Sequence, residues 1–101
     1  GHEKCVKKIL DRIGDNPIYV TFDLDCLDPT VAPGVANIES AYRGFNMDEA
    51  RKIIQCLKGK NVIGGDVACL MPTKDNPNQI TSMVAAAIMF EIICLICVKP
   101  E

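Results

Sequence analysis

Ile18-Tyr19-Val20-Thr21-Phe22-Asp23-Leu24-Asp25-Cys26-Leu27-Asp28-Pro29 is the stretch on which the reading of this 101-residue chain turns. Residues 18–24 are β-branched, aromatic and apolar at regular intervals, which is the composition of a strand. Successive side chains of a strand point to opposite faces. Asp23 and Asp25 are therefore predicted side by side on one face, with Leu24 in the opposite layer. They fall at the C-terminal end of the strand, where open α/β sheets place their ligand crevice. Two adjacent carboxylates repel, and one is driven to take up a proton. A divalent cation removes that conflict, and hard oxygen donors suit Mg²⁺, Ca²⁺ or Mn²⁺. The competing reading is that both groups only cap loop amides where the strand ends. Asp28 precedes a proline, which favours an extended backbone there. Its side chain is expected to hold the loop by accepting N–H bonds, in preference to acting as a third ligand.

Outward from this stretch the elements alternate. Val6, Ile9, Leu10 and Ile13 recur at helical spacing over residues 3–13, and Gly14 stops that helix. Residues 28–45 contain Pro29, Pro33, Gly34 and Gly44 and are predicted to be a long functional loop. Asn46 and Glu49 form a capping-box pair ahead of a helix whose apolar face is Met47, Ala50, Ile53, Ile54 and Leu57. Gly59 ends it. Residues 61–70, NVIGGDVACL, read as a strand buried on both faces. Residues 80–98 form a strongly apolar helix. The order predicts an α/β fold of three layers, α/β/α, around a parallel sheet.

Composition narrows the function. The chain is 49% hydrophobic and 24% charged, which is globular, and its length suits one small domain. With 11 basic and 13 acidic residues the net charge is −2, and no basic cluster is present. Nucleic acid is not an expected partner. Nor is a membrane: the last apolar run is short and is interrupted by Glu91, whereas a span needs about 20 apolar residues. Cys56, Cys69, Cys94 and Cys97 lie in apolar or amphipathic runs and are expected to be small buried hydrophobes. Reduced thiols and no opening signal peptide predict a cytoplasmic protein, with mitochondria as a second compartment.

Asp66 follows Gly64-Gly65 within the second strand. A charge there must be paired. It is expected either to orient a metal ligand from behind or to cap a helix or loop.

These residues resemble the ureohydrolases, the family of arginase and agmatinase. Thr21–Pro29 followed by Ala32-Pro33-Gly34 is similar to the family's S-F-D-x-D-x-x-D-P motif with the A-P-G of agmatinase-type members. Asn61–Val67 is similar to N-x-x-G-x-D-V, and Pro72, Asp75 and Ile80-Thr81 to its P-x-x-D…I-T run. The resemblance implies that residues 1–101 are a partial domain, the C-terminal portion of such a fold, with an upstream half supplying H-x-D and D-A-H-x-D motifs. It implies that Asp23 and Asp25 bind a two-manganese cluster (Mn²⁺), which activates a hydroxide against the guanidinium carbon of a small guanidino substrate such as agmatine and releases urea. It also implies a homo-oligomer, trimer or hexamer, and a chain that is inactive by itself. Cys69 aligns with the Glu that holds the guanidinium in the family, so this substrate-binding position carries a thiol. The 34–44 loop matches the family only at Gly34 and Glu39. The one histidine, His2, lies outside any motif.

Three other readings compete. A degenerate, non-catalytic relative would serve as a structural or regulatory subunit. A haloacid-dehalogenase-type phosphatase would use Asp23 as nucleophile and Asp25 as general acid, but Cys26-Leu27 stands where Gly-Thr is needed. A calcium-binding domain of another fold is the third.

Overall fold

The computed structural model describes residues 2–38 and 43–99; Glu39, part of the expected loop match, lies outside them. Helix α1 spans His2–Ile13, strand β1 Ile18–Asp23, helix α2 Met47–Gln55, strand β2 Val62–Ala68 and helix α3 Ile80–Cys97. The strands pair in parallel, joined through α2. This is the expected parallel α/β arrangement. Of its layers, the described residues build the sheet and the helices on one of its faces.

Local sequence explains the element ends. Gly14 (φ +54°) and Gly59 (φ +87°) take the left-handed backbone that only glycine adopts without strain, directly after α1 and just beyond α2. Asn46 accepts a hydrogen bond from the Glu49 N–H (2.8 Å) and its own N–H donates to Glu49 Oε1 (3.1 Å), so the capping box forms in full.

The strands pair Ile18 with Val62 and Tyr19 with Gly64, so Ile63 is left without a partner in the register. From there on the ladder is regular, ending at Asp23 opposite Ala68. Ile18, Val20, Phe22 and Val67 pack on the core formed by Leu24, Val62, Ala50, Ile54 and the buried face of α3. Gly65 belongs to the same face. A Cβ there would sit 2.5 Å from Ile92 Cγ2 and 2.8 Å from the Val20 carbonyl, so its absence lets α3 lie directly on β2.

The second strand is not buried on both faces. Tyr19 is 58% exposed and Ile63 61% exposed, on the side of the sheet away from α3. Its apolar run reflects one face against α3 and a second face that no described element covers. The cysteines also differ from expectation. Cys69, Cys94 and Cys97 are exposed, and Cys26 and Cys56 are half-buried.

Helix α3 has the length and hydropathy of a membrane span, yet Val84, Ile88, Ile92 and Leu95 are buried against the sheet and α2. Glu91, the charge in its middle, pairs with Arg51 (3.2 Å) and accepts from Gln55 Nε2 (3.2 Å), both on α2. That carboxylate ties two helices together.

Candidate metal centre

Strand β1 stops one residue earlier than its alternation suggests. Asp23 is its last residue, and Leu24–Cys26 form a single turn of 3-10 helix. Asp25 is therefore not two places along the strand from Asp23. The chain turns because Asp23 caps it: the carboxylate accepts the Asp25 N–H at 2.9 Å. Leu24 still enters the core and is fully buried. Asp23 thus caps a loop amide, whereas Asp25 caps none among the described residues, and the turn keeps the two side chains close.

The second strand also ends earlier than its apolar run. Cys69 lies just past Ala68, outside the strand, with φ +76°. Ala68 is the register partner of Asp23, so the end of β2 delivers Cys69 beside the first turn after β1. One ligand atom from each of Asp23, Asp25 and Cys69 lies within 4.8 Å of the others. The three stand at the C-terminal ends of two parallel strands, as the crevice rule anticipates.

The electrostatics are those of an uncompensated site. Burial, then the neighbouring Asp23 charge, push the Asp25 carboxyl above its ordinary value. Asp25 Oδ1 is buried and has no hydrogen-bond partner among the described residues. A buried acceptor without a donor is costly, and a cation supplies what is missing. Two carboxylates, one with an orphaned oxygen, fit a divalent metal ion by donor chemistry.

The surrounding residues hold this corner in place. Asp28 Oδ1 accepts from the Thr30 N–H (2.9 Å) and hydroxyl (2.7 Å), and Oδ2 from the Gly44 N–H (3.3 Å). These bonds hold the Asp28 carboxyl below its ordinary value. Its two oxygens bridge the start and end of the long loop, and it does not join the Asp23–Asp25–Cys69 group. Gly44 passes so close that a Cβ would lie 2.6 Å from the Leu27 carbonyl carbon and the Asp28 nitrogen. Phe45 then pairs with the backbone of Cys26 and Asp28 (3.0 and 2.9 Å), an isolated parallel bridge to Leu27 just past the 3-10 turn.

Asp66 sits opposite Thr21 on the uncovered sheet face. It accepts from the Thr21 hydroxyl at 2.7 Å and the Tyr19 hydroxyl at 2.8 Å, and those bonds hold its carboxyl low. It is paired, as a charge in a strand must be. Its hydroxyl partners lie on β1 ahead of Asp23.

Asp75 and Thr81, which fall in the P-x-x-D…I-T run, act structurally. Asp75 lies ahead of α3 and accepts the Thr81 N–H (3.0 Å) and the Ser82 N–H (2.9 Å) and hydroxyl (3.0 Å). Burial pulls this carboxyl upward, but the Ser82 and Thr81 bonds outweigh it and hold it well below the carboxylate range. The Thr81 hydroxyl, wholly buried, accepts the Gly34 N–H at 2.8 Å. The 33–35 segment is thereby fixed to the head of α3, and Met71 N–H donates to the Gly34 carbonyl at 2.8 Å. An Asp followed by polar residues ahead of a long apolar run was the available signal.

Known proteins resemble this chain in sequence and in fold. The sequence model of the arginase family matches residues 1–95. An agmatinase from Chromobacterium violaceum is 40% identical over 95 residues, covering 94% of this chain and 29% of that protein. A solved structure described as a hypothetical agmatinase from Burkholderia thailandensis superposes with a TM-score of 0.82 at 36% identity, over 94% of this chain and 29% of that one. The proclavaminate amidino hydrolase of Streptomyces clavuligerus superposes with a TM-score of 0.85 at 29% identity, over 95% of this chain and 32% of that one. The chain thus spans less than a third of the length of these relatives.

Proposed function

The chain belongs to the arginase family, and from that premise we propose that the protein it represents is a metal-dependent hydrolase that cleaves a small guanidino compound and releases urea. Agmatine is the favoured substrate, because the A-P-G spelling at Ala32-Pro33-Gly34 is agmatinase-like and the relative with 40% identity is an agmatinase. The observation that carries the reading is the Asp23–Asp25 pair at the strand ends, with Asp25 Oδ1 buried and lacking a donor among the described residues. Asp23 and Asp25 would hold the metal, manganese by family resemblance. A divalent ion there supplies a nucleophilic water at neutral pH and stabilises charge that develops in the attack.

The chain's own residues contribute position. Asp23 fixes the turn that carries Asp25. Asp28 ties Thr30 to Gly44 at the two ends of the long loop. Thr81 and Asp75 fix the 33–35 segment and the head of α3. Cys69 stands where the family resemblance expects a carboxylate for the guanidinium. A neutral thiol gives a desolvated guanidinium no counter-charge, so turnover of agmatine is expected to be slow.

The test is urea release by the full-length protein from agmatine, arginine and guanidino acids, with added Mn²⁺. Activity that disappears in Asp25→Asn supports the hydrolase. Cys69 also favours a second reading, a non-catalytic subunit of the same family. That reading prevails if the metal-loaded protein releases urea from none of these substrates.

A further inference from the structure

Cys69 is placed by the fold as much as the two carboxylates are. It follows Ala68, the partner of Asp23, and its left-handed backbone is one that a residue with a Cβ rarely adopts. Its Sγ shares a 4.8 Å cluster with carboxylate oxygens of Asp23 and Asp25. Oδ1 of the same Asp25 carboxylate is buried and lacks a donor among the described residues. We propose that the Cys69 thiolate is a third ligand of the metal held by Asp23 and Asp25, and that it shifts the site's preference from manganese toward borderline-soft divalent ions such as zinc and cobalt. This inference rests on the metal-dependent reading above.

The chemistry follows from the donors. Carboxylates alone favour hard cations, whereas thiolate sulfur binds zinc and cobalt far better than manganese. When a divalent ion enters, the S–H proton leaves to solvent and the S–metal bond forms in its place. The position that the family resemblance assigns to the substrate's counter-charge then belongs to the metal.

The probe is Co²⁺ added to the metal-free full-length protein, read by absorbance. Bound cobalt is expected to show a thiolate-to-cobalt charge-transfer band in the near ultraviolet. Cys69→Ser should still bind Co²⁺ but lose the band, and its preference for Zn²⁺ over Mn²⁺ in competition calorimetry should fall by about tenfold or more. Cys69→Gly, which relieves the left-handed backbone, must lose the band as well and guards against a folding defect in the serine variant. If cobalt binds without the band, or the band survives in Cys69→Ser and disappears in Cys26→Ser, the inference fails while the metal-dependent reading stands. If no cobalt binds at all, both fail.

Discussion

Asp75 and Asp25 are carboxylates under opposite influences. Asp75 accepts amide and hydroxyl bonds from Thr81 and Ser82 and is held far down, so its charge is part of the folded state. Asp25 is raised by burial and by Asp23, so the fold resists its charge. A group depressed on folding contributes stability that is complete above its unfolded value, near 3.9 for Asp. That contribution is lost as pH falls from there through the folded value. Denaturant midpoints measured between about pH 2 and pH 5 should therefore fall more steeply for the wild type than for Asp75→Asn. Parallel pH profiles would show that Asp75 does not carry the cap. Asp23 combines both roles, since one oxygen caps Asp25 N–H and a carboxylate retains further lone pairs for a ligand.

At the scale of elements, contact between β2 and α3 depends on Gly65. Alanine there would press on Ile92 Cγ2 and the Val20 carbonyl, and overpacking of this kind costs about 1–3 kcal/mol. Ile92→Ala removes the side-chain half of that clash but not the carbonyl half. The double variant should therefore be less destabilised than the sum of the two singles, with the difference read from urea denaturation as a coupling energy. Strict additivity would place α3 elsewhere. This level of structure was largely legible beforehand. Gly14, the Asn46–Glu49 pair and the apolar spacing of α2 are local signals, and the structure follows them within a residue or two. The 3-10 turn was not legible, because period-two alternation runs on past Asp23 and nothing in composition says that a side chain will cap there. The position of Cys69 was not legible either. A left-handed cysteine has no compositional signature, and the apolar run of residues 61–70 hides the point where β2 stops. The candidate site was nevertheless found, because a strand and a capped turn both keep Asp23 and Asp25 together. Asp75 was missed as a structural residue because it lies five residues before α3 and caps it through Thr81 and Ser82.

At the scale of the molecule, two apolar surfaces have no cover among the described residues. One is the sheet face carrying Tyr19 and Ile63. The other is the outer side of α3, where Met83, Phe90 and Ile93 are 65%, 58% and 51% exposed. Large contiguous apolar surface of this kind marks contact with other protein. The matched relatives are about three times the length of this chain, which fits a layer of structure that rests on these faces in a complete fold. Residues 1–101 made as a separate polypeptide should therefore self-associate in a concentration-dependent way. The paired substitutions Phe90→Glu and Ile93→Lys change only exposed positions of α3, while Val84, Ile88, Ile92 and Leu95 keep the inner face. They should lower the associated fraction in sedimentation velocity and leave the far-ultraviolet helical signal unchanged. The size of the effect follows from area, since apolar surface removed from water contributes about 25 cal/mol per Å² and each of these side chains presents much of its surface. If the wild-type polypeptide is monomeric at high concentration, the outer face of α3 is not an adhesive surface and the helix is sufficiently covered within this chain. If the doubly charged variant still associates, the sheet face with Tyr19 and Ile63 is the surface that draws the copies together.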